Sequence, residues 1–273
     1  MHSLLTERAA PGGRASAVEP AHELAALCWE LLLNPTGASG ASNMATDAGL
    51  LALAERSGRA FVRLYRFDPP CLSFGRNEPA TGYDRAAIAR LGVDVVRRPT
   101  GGRVVWHEHE VTYAVAAPIA AFGGLRLAYG TIHAWLAAAL RRLGLAATLA
   151  PEPALPVTRA RGGACFAAPA GGEVLVDGRK VVGSAQARRG SALLQHGSVL
   201  LAGSQELARL LSRDRGSRGG DTTLAAALGR PVSFAETAAA LIEAWDAPLL
   251  PPLAALPRSA PTGFHDPAWT WRR

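Results

Sequence analysis

Hydrophobic positions along the chain recur with two periods, and the switches between them mark out the elements. Residues 29–33 are a short apolar run that stops at Asn34-Pro35 and reads as a strand, with a loop over 35–41. Ser42 or Asn43 is placed to cap a helix over 44–56, whose Met44, Asp47, Ala48, Leu51 and Ala52 share one face. Alternation predicts a strand over 61–67 and a second over 71–74, joined through Asp68-Pro69-Pro70. Residues 84–91 read as a short helix closed by Gly92, and 93–97 as a strand leading into a tight glycine-rich loop over 99–103. Strands are predicted over 104–106 and 111–117, the latter with Val111, Tyr113, Val115 and Ala117 on one face. The clearest helix is 125–143, where Ile132, Trp135, Leu136, Ala139, Leu140 and Leu143 keep three-four spacing and Gly144 ends the run.

A strand over 145–149 and a loop over 151–163 follow. Residues 173–182 form a hairpin around Asp177-Gly178, a dipeptide that accepts the positive φ angles of a two-residue turn. Another strand is predicted over 193–201, and helices over 205–211, 224–228 and 235–245. Together these give an α+β class: a single domain with a mostly antiparallel mixed β-sheet flanked by helices. The domain spans 21–248, after a loose Ala/Gly/Pro-rich lead-in over 1–20 and before a Pro-rich tail over 249–273 that wraps or dangles. There is no internal repeat and no interdomain linker.

Composition narrows the class. With 49% hydrophobic and 19% charged residues in 273, the chain can bury a real core and is not disordered as a whole. No apolar run approaches the length of a membrane span, and the first twenty residues lack a secretory pattern. Cys28, Cys71 and Cys165 are odd in number and widely spaced, which excludes a disulfide scaffold and fits a reducing cytoplasm. Cys28 and Cys71 sit in apolar runs and are assigned to the core. The net charge of +7 favours an acidic partner, nucleic acid or protein. No basic segment interleaved with aromatics is present, and the dense arginine stretch 209–218 reads as a solvated loop. Of the 29 basic residues, 28 are arginines, leaving Lys180 as the sole lysine. Arginine stays charged at any accessible pH, so Lys180 is the sole lysine amine able to give up a proton.

Four segments carry chemistry. In the block 97–107, Gly101 and Gly102 let the backbone approach a ligand, and free N–H groups there can bind an anion or a carbonyl oxygen beside the flanking arginines. An ordinary hairpin corner is the plain alternative. Cys165 follows a Gly/Arg-rich loop and precedes Ala167-Ala168-Pro169, a better setting for a nucleophile than a strand. In the third segment, 177–186, the turn pairs Val176 with Arg179 and Leu175 with Lys180, so Leu175, Lys180 and Val182 share a buried-looking face. Burial there is expected to lower the lysine from about 10.4, and its cation would favour a thiolate from about 8.5. Contact between Lys180 and Cys165, fifteen positions apart, is feasible. The fourth is Leu194-Gln195-His196-Gly197-Ser198, whose histidine is more often structural than catalytic. His107 and His109 share a strand face, but with no third ligand at a recognisable spacing no metal is assigned. Ser184 and Ser198 are not in a G-x-S-x-G elbow, so the motif gives no support to serine hydrolase chemistry.

Asn43-Met44-Ala45 opening a helix, Leu72-Ser73-Phe74-Gly75-Arg76, the 97–107 block, 177–186 and Gln195-His196-Gly197-Ser198, in this order, resemble the biotin/lipoate protein ligase and octanoyltransferase superfamily over about 29–245. Within it the chain is most similar to the LipM-type octanoyltransferases. It has Gly101-Gly102-Arg103 where ligases carry three glycines. It has Glu110-Val111-Thr112-Tyr113 and a cysteine before the hairpin, and it has no room for an accessory domain after Trp245. The segment 167–172 is more Ala/Gly-rich than the pattern that follows the transferase cysteine.

The resemblance implies a biotin/lipoate ligase-like catalytic domain in the cytoplasm. It implies transfer of an octanoyl group from acyl carrier protein to a lysine of a lipoyl-domain protein, such as the glycine cleavage H protein or a 2-oxoacid dehydrogenase E2. Cys165 would carry the acyl group as a thioester, and Lys180 would stabilise its thiolate and help deprotonate the incoming amine. Arg98, Thr100, Gly101, Gly102, Arg103, His107, Gly183, Ser184, Ala185, His196 and Gly197 would bind substrate. Backbone N–H groups near Gly183 or Gly101-Gly102 would face the oxyanion, and His107 and His196 would shape the pocket. No cofactor, metal, nucleic acid or membrane is implied. The rival is an ATP-dependent lipoate–protein ligase, in which Lys180 binds the carboxylate and acyl phosphate and Cys165 is incidental. Lipoyl amidotransfer and a non-catalytic binder of lipoylated proteins or acyl carriers are further variants.

Overall fold

A computed structural model describes residues 24, 27–151, 171–213, 220–252 and 262–272. The chain runs β1 (Trp29–Ala38), α1 (Gly40–Ser57), β2 (Ala60–Phe67), β3 (Cys71–Phe74), α2 (Arg85–Leu91), β4 (Asp94–Arg97), β5 (Val105–His107), β6 (Glu110–Pro118), α3 (Leu125–Arg142), β7 (Ala147–Leu149), β8 (Val174–Val176), β9 (Arg179–Lys180), β10 (Val182–Arg189), β11 (Ala192–Leu200), α4 (Glu206–Leu211), α5 (Leu224–Leu228), α6 (Phe234–Glu243), β12 (Leu249–Leu250) and α7 (Pro267–Thr270). Six strands form the main sheet in the order β10-β11-β6-β2-β1-β12. Pairing is antiparallel from β10 to β2 and parallel where β1 meets β2 and β12. Two small sheets, β4-β3-β5 and β7-β8-β9, flank it. The α+β class with a mixed, mainly antiparallel sheet is as the patterning predicts.

The period-two alternation of β6 divides two cores. Val111, Tyr113, Val115 and Ala117 face α3 and α6, packing with Ile132, Trp135, Leu136 and Leu241. Ala114 and Ala116 face the other way, against Met44, Leu50 and Leu51 of α1, and their small side chains let the helix lie close to the sheet.

The boundaries differ from expectation in physically readable ways. Helix α1 begins at Gly40, not Met44, because Ser39 is its cap, with Oγ accepting from the Ser42 N–H at 3.3 Å. Asn43 lies inside the first turn, its amide donating to Ala38 O and Arg66 O and tying the helix start to the sheet. The expected loop over 35–41 is largely strand. A bulge between Asn34 and Ala38 absorbs Pro35 and restores pairing at Ala38 with Phe67. Cys71 is buried as expected, whereas Cys28 is exposed just ahead of β1 and is not a core residue. His107 ends β5 and His109 sits in the following turn, so the two do not share a strand face.

The described part of the Pro-rich tail is anchored. Leu249 and Leu250 add a parallel edge to β1. Residues 262–272 lie against β4 and α1, where Arg97, wholly buried, donates to the carbonyls of Trp269, Thr270 and Arg272 on one side and of Gly75 and Glu78 on the other.

Candidate active site

A narrow cleft opens between α1, the β2-β6-β11-β10 half of the main sheet and the β3-β5 pair. It is lined by Arg98, His107, Gly183, Ser184, Ala185, His196 and Gly197, together with Met44, Phe67 and Ser73. Seven of the candidate substrate-binding residues read from the sequence therefore meet in one place. Gly197 lets β11 pack closely on β10: a Cβ there would sit 2.2 Å from Gly183 O and 2.9 Å from Ser184 Oγ.

The 97–107 loop folds around its own guanidinium. Arg98 donates to Ser73 O at 2.9 Å, to Gly101 O at 3.0 Å and to Arg103 O at 2.6 Å. Gly102, at φ +89°, lies where a Cβ would come within 2.8 Å of Arg98 Nη2, so glycine is required both for the backbone angle and for the close approach. Gly101, Gly102 and Arg103 thus frame the cleft edge, with Gly101 and Arg103 offering carbonyls inward to Arg98.

Two histidines are held between a carboxylate and a hydroxyl. His196 Nδ1 donates to Asp47 Oδ2 at 2.7 Å, and its Nε2 meets Thr100 Oγ1 at 2.6 Å. His107 Nδ1 donates to Glu110 Oε1 at 2.7 Å, its Nε2 meets Ser73 Oγ at 2.7 Å, and its ring stacks on Phe67. Asp47 also receives Arg63 at 2.7 Å and Tyr65 at 2.8 Å. Burial opposes its charge, but Arg63 and the hydrogen bonds from His196 and Tyr65 together hold the carboxyl below its ordinary range. Both histidines have their ring nitrogens occupied, and both rings form fixed walls.

Lys180 lies on β9, in the small β7-β8-β9 sheet, and does not line the cleft directly. Its hairpin has the expected register, Leu175 opposite Lys180 and Val176 opposite Arg179, with Asp177 at φ 51° and Gly178 at φ 72°. The lysine is 1% exposed. Its burial is as the hairpin register predicts, and Nζ donates to Glu173 Oε1 at 2.7 Å, a charge partner that the sequence reading did not name. Cys165 lies outside the described residues.

His133 on α3 bridges the lysine hairpin and the cleft. Its Nδ1 is 2.7 Å from Gly172 O and its Nε2 is 2.8 Å from Ser184 Oγ. Burial, more than offsetting the Gly172 hydrogen bond, lowers its pKa from 6.5 to about 4, with the Lys180 charge pushing the same way. His133, Glu173 and Asp47 were not read as functional from the sequence. A polar residue on the apolar face of each helix, His133 beside Ile132 and Asp47 beside Met44, was the available signal. A second cavity, of about 340 Å³, lies between α3 and the end of α6, and none of the candidate catalytic or substrate-binding residues lines it. Among the described residues no group of three His, Cys, Asp or Glu side chains is placed to hold a metal. No described helix is long and apolar enough to cross a membrane.

The fold is that of lipoate protein ligases. A lipoate-protein ligase A structure bound with ATP superposes with a TM-score of 0.66 at 20% identity, covering 82% of this chain and 87% of that one. A bipartite lipoate protein ligase solved with its E2 lipoyl domain, from Thermoplasma acidophilum, superposes at 0.56 and 22% identity, covering 80% and 81%. The model of the lipoyl protein ligase A/B catalytic domain matches residues 39–246, and the chain belongs to that family. Among curated relatives, the octanoyltransferase LipM of Symbiobacterium thermophilum is 39% identical over 231 residues, which is 76% of this chain and 81% of the relative.

Proposed function

We propose that this octanoyltransferase moves the octanoyl group from octanoyl-acyl carrier protein to a lysine of a lipoyl-domain protein, through a thioester on Cys165. The observation that carries this reading is the 39% identity to an octanoyltransferase over four-fifths of that protein's length. The thiolate of Cys165 attacks the donor thioester; a new C–S bond forms, and the carrier's thiol leaves. The acceptor amine then attacks the enzyme thioester, the amide C–N bond forms and Cys165 is released. The first exchange is near-balanced and the second is downhill, so ATP is not consumed.

Lys180 serves both steps from its pairing with Glu173. Its fixed positive charge favours the thiolate and the developing oxyanion, and the pair passes a proton from the amine to the departing sulfur. The cleft takes the acyl chain. Its open space of about 30 Å³ accommodates water but not eight carbons, so the unbranched Met44 side chain swings aside on binding.

The test is reconstitution with octanoyl-acyl carrier protein and a lipoyl domain. Octanoylation without ATP is expected. Octanoylation that appears only with free octanoate and ATP overturns the reading in favour of an adenylate-forming ligase.

A further inference from the structure

Lys180 and Glu173 meet through their side chains, but their backbones are held by different means. Lys180 bridges to Asp221: its N–H donates to Gly220 O at 3.0 Å, and its C=O accepts from the Thr222 N–H at 2.8 Å. Glu173 lies just before β8, where the chain turns through Gly172 at φ +79°. Ala150 secures that turn from one side. Its N–H donates to Glu173 O at 2.7 Å, and its C=O accepts from the Gly172 N–H at 2.8 Å. Neither bond touches the peptide that joins Gly172 to Glu173. That peptide is a rigid plane ending at the Glu173 Cα, so its orientation aims the Glu173 side chain.

His133 of α3 holds this plane. A carbonyl can only accept, so Nδ1 donates to Gly172 O at 2.7 Å. The ring itself is fixed from two sides. The Ser184 hydroxyl donates to Nε2 at 2.8 Å, and Tyr129, one turn earlier on α3, packs edge-on with ring centroids 4.0 Å apart. The ring is wholly buried, and burial lowers its pKa to about 4. It is therefore neutral near pH 7 and adds no second positive charge beside Lys180.

We propose that His133 is a positioning residue for octanoyl transfer: by fixing the Gly172–Glu173 peptide it holds the Glu173 carboxylate on Lys180, and so keeps the ammonium where both steps need it. This rests on the transferase reading above. An apolar side chain in its place would leave the Gly172 carbonyl without that donor and the carboxylate free to swing away from Nζ.

The experiment uses the fact that Lys180 is the sole lysine, so labelling with ¹⁵N-lysine gives a single Nζ resonance that reports the pair. Two variants divide the two bonds of His133. His133→Asn places an amide N–H where Nδ1 stood and keeps the donor to Gly172, whereas His133→Gln reaches the Nε2 position and keeps only the partner of Ser184. His133→Asn is expected to retain the wild-type Nζ resonance at pH 7 and a kcat within about threefold. His133→Gln and His133→Leu are expected to shift the resonance and to lower kcat by about tenfold to a hundredfold, with KM for octanoyl-acyl carrier protein and for the lipoyl domain within about threefold. An unshifted resonance in His133→Gln and His133→Leu, or equal rates in His133→Asn and His133→Gln, overturns the proposal. If His133→Leu does not fold, the other two variants decide alone. Wild-type enzyme that transfers nothing without ATP would overturn the transferase reading itself, while the Nζ resonance still decides whether His133 holds the pair.

Discussion

Lys180 Nζ and Glu173 Oε1 are 2.7 Å apart across the β8-β9 hairpin, with side chains 2% and 6% exposed. Removing the carboxylate leaves a buried ammonium without its charge partner. Glu173→Gln is therefore expected to lower unfolding stability by about 3–5 kcal/mol in urea titrations, with part of the loss recovered by adding Lys180→Met. Lys180→Arg tests chemistry instead: it preserves the charge but cannot exchange a proton. Octanoyl transfer is expected to be nearly abolished while the fold persists. Near-wild-type turnover in Lys180→Arg would remove the acid–base role.

His133 makes stability depend on pH. Its folded pKa of about 4 lies below the ordinary 6.5, so the unfolded chain takes up a proton that the native chain refuses. Stability is then intact above about pH 6.5 and is lost as pH falls toward 4, by about 3 kcal/mol in total. Denaturant titrations at pH 7, 5.5 and 4.5 should show that slope for the wild type and a shallower one for His133→Gln. Parallel slopes would mean that His133 is not buried as a neutral ring.

Much of the fold was legible because local chemistry and global packing agree. Asp177-Gly178 accepts two positive φ angles, so the hairpin register followed directly from the turn and placed Lys180 opposite Leu175. The alternation of Val111, Tyr113 and Val115 identified the core face of β6. Interactions set by distant carbonyls and carboxylates were not legible. Ser39 caps α1 because β1 continues past Pro35, a feature of strand pairing rather than of propensity. The His133 partners are Gly172 and Ser184, 39 and 51 positions away, and Asp47 meets His196 at a separation of 149. Periodicity reports which face is buried and says nothing about which polar group waits there.

Arg97 ties the end of the chain to the loop beside the cleft. Residues 262–272 supply three of its carbonyl partners, and the Trp269 indole N–H returns a bond to Arg97 O at 2.9 Å. Deleting residues from 262 onward strands a buried guanidinium. Thermal unfolding is expected to show a loss of about 2–4 kcal/mol, and Arg97→Met in the truncated chain should recover part of it. Unchanged stability on truncation would show that the docking contributes nothing.

Met44 should set acyl length. It is 2% exposed, lines the cleft and has the most adaptable side chain there. Met44→Ala is expected to shift preference from octanoyl toward decanoyl and longer donors, measured as kcat/KM across a series of acyl carriers. An unshifted profile would place the acyl chain elsewhere, with the cavity behind α3 as the next candidate.

The most direct measurement is intact mass of the protein after mixing with octanoyl-acyl carrier protein in the absence of ATP. The expected result is the addition of one octanoyl group that is removed by hydroxylamine, absent in Cys165→Ala and retained in Cys28→Ala and Cys71→Ala. No adduct on the wild type, or an adduct that survives in Cys165→Ala, contradicts the thioester mechanism.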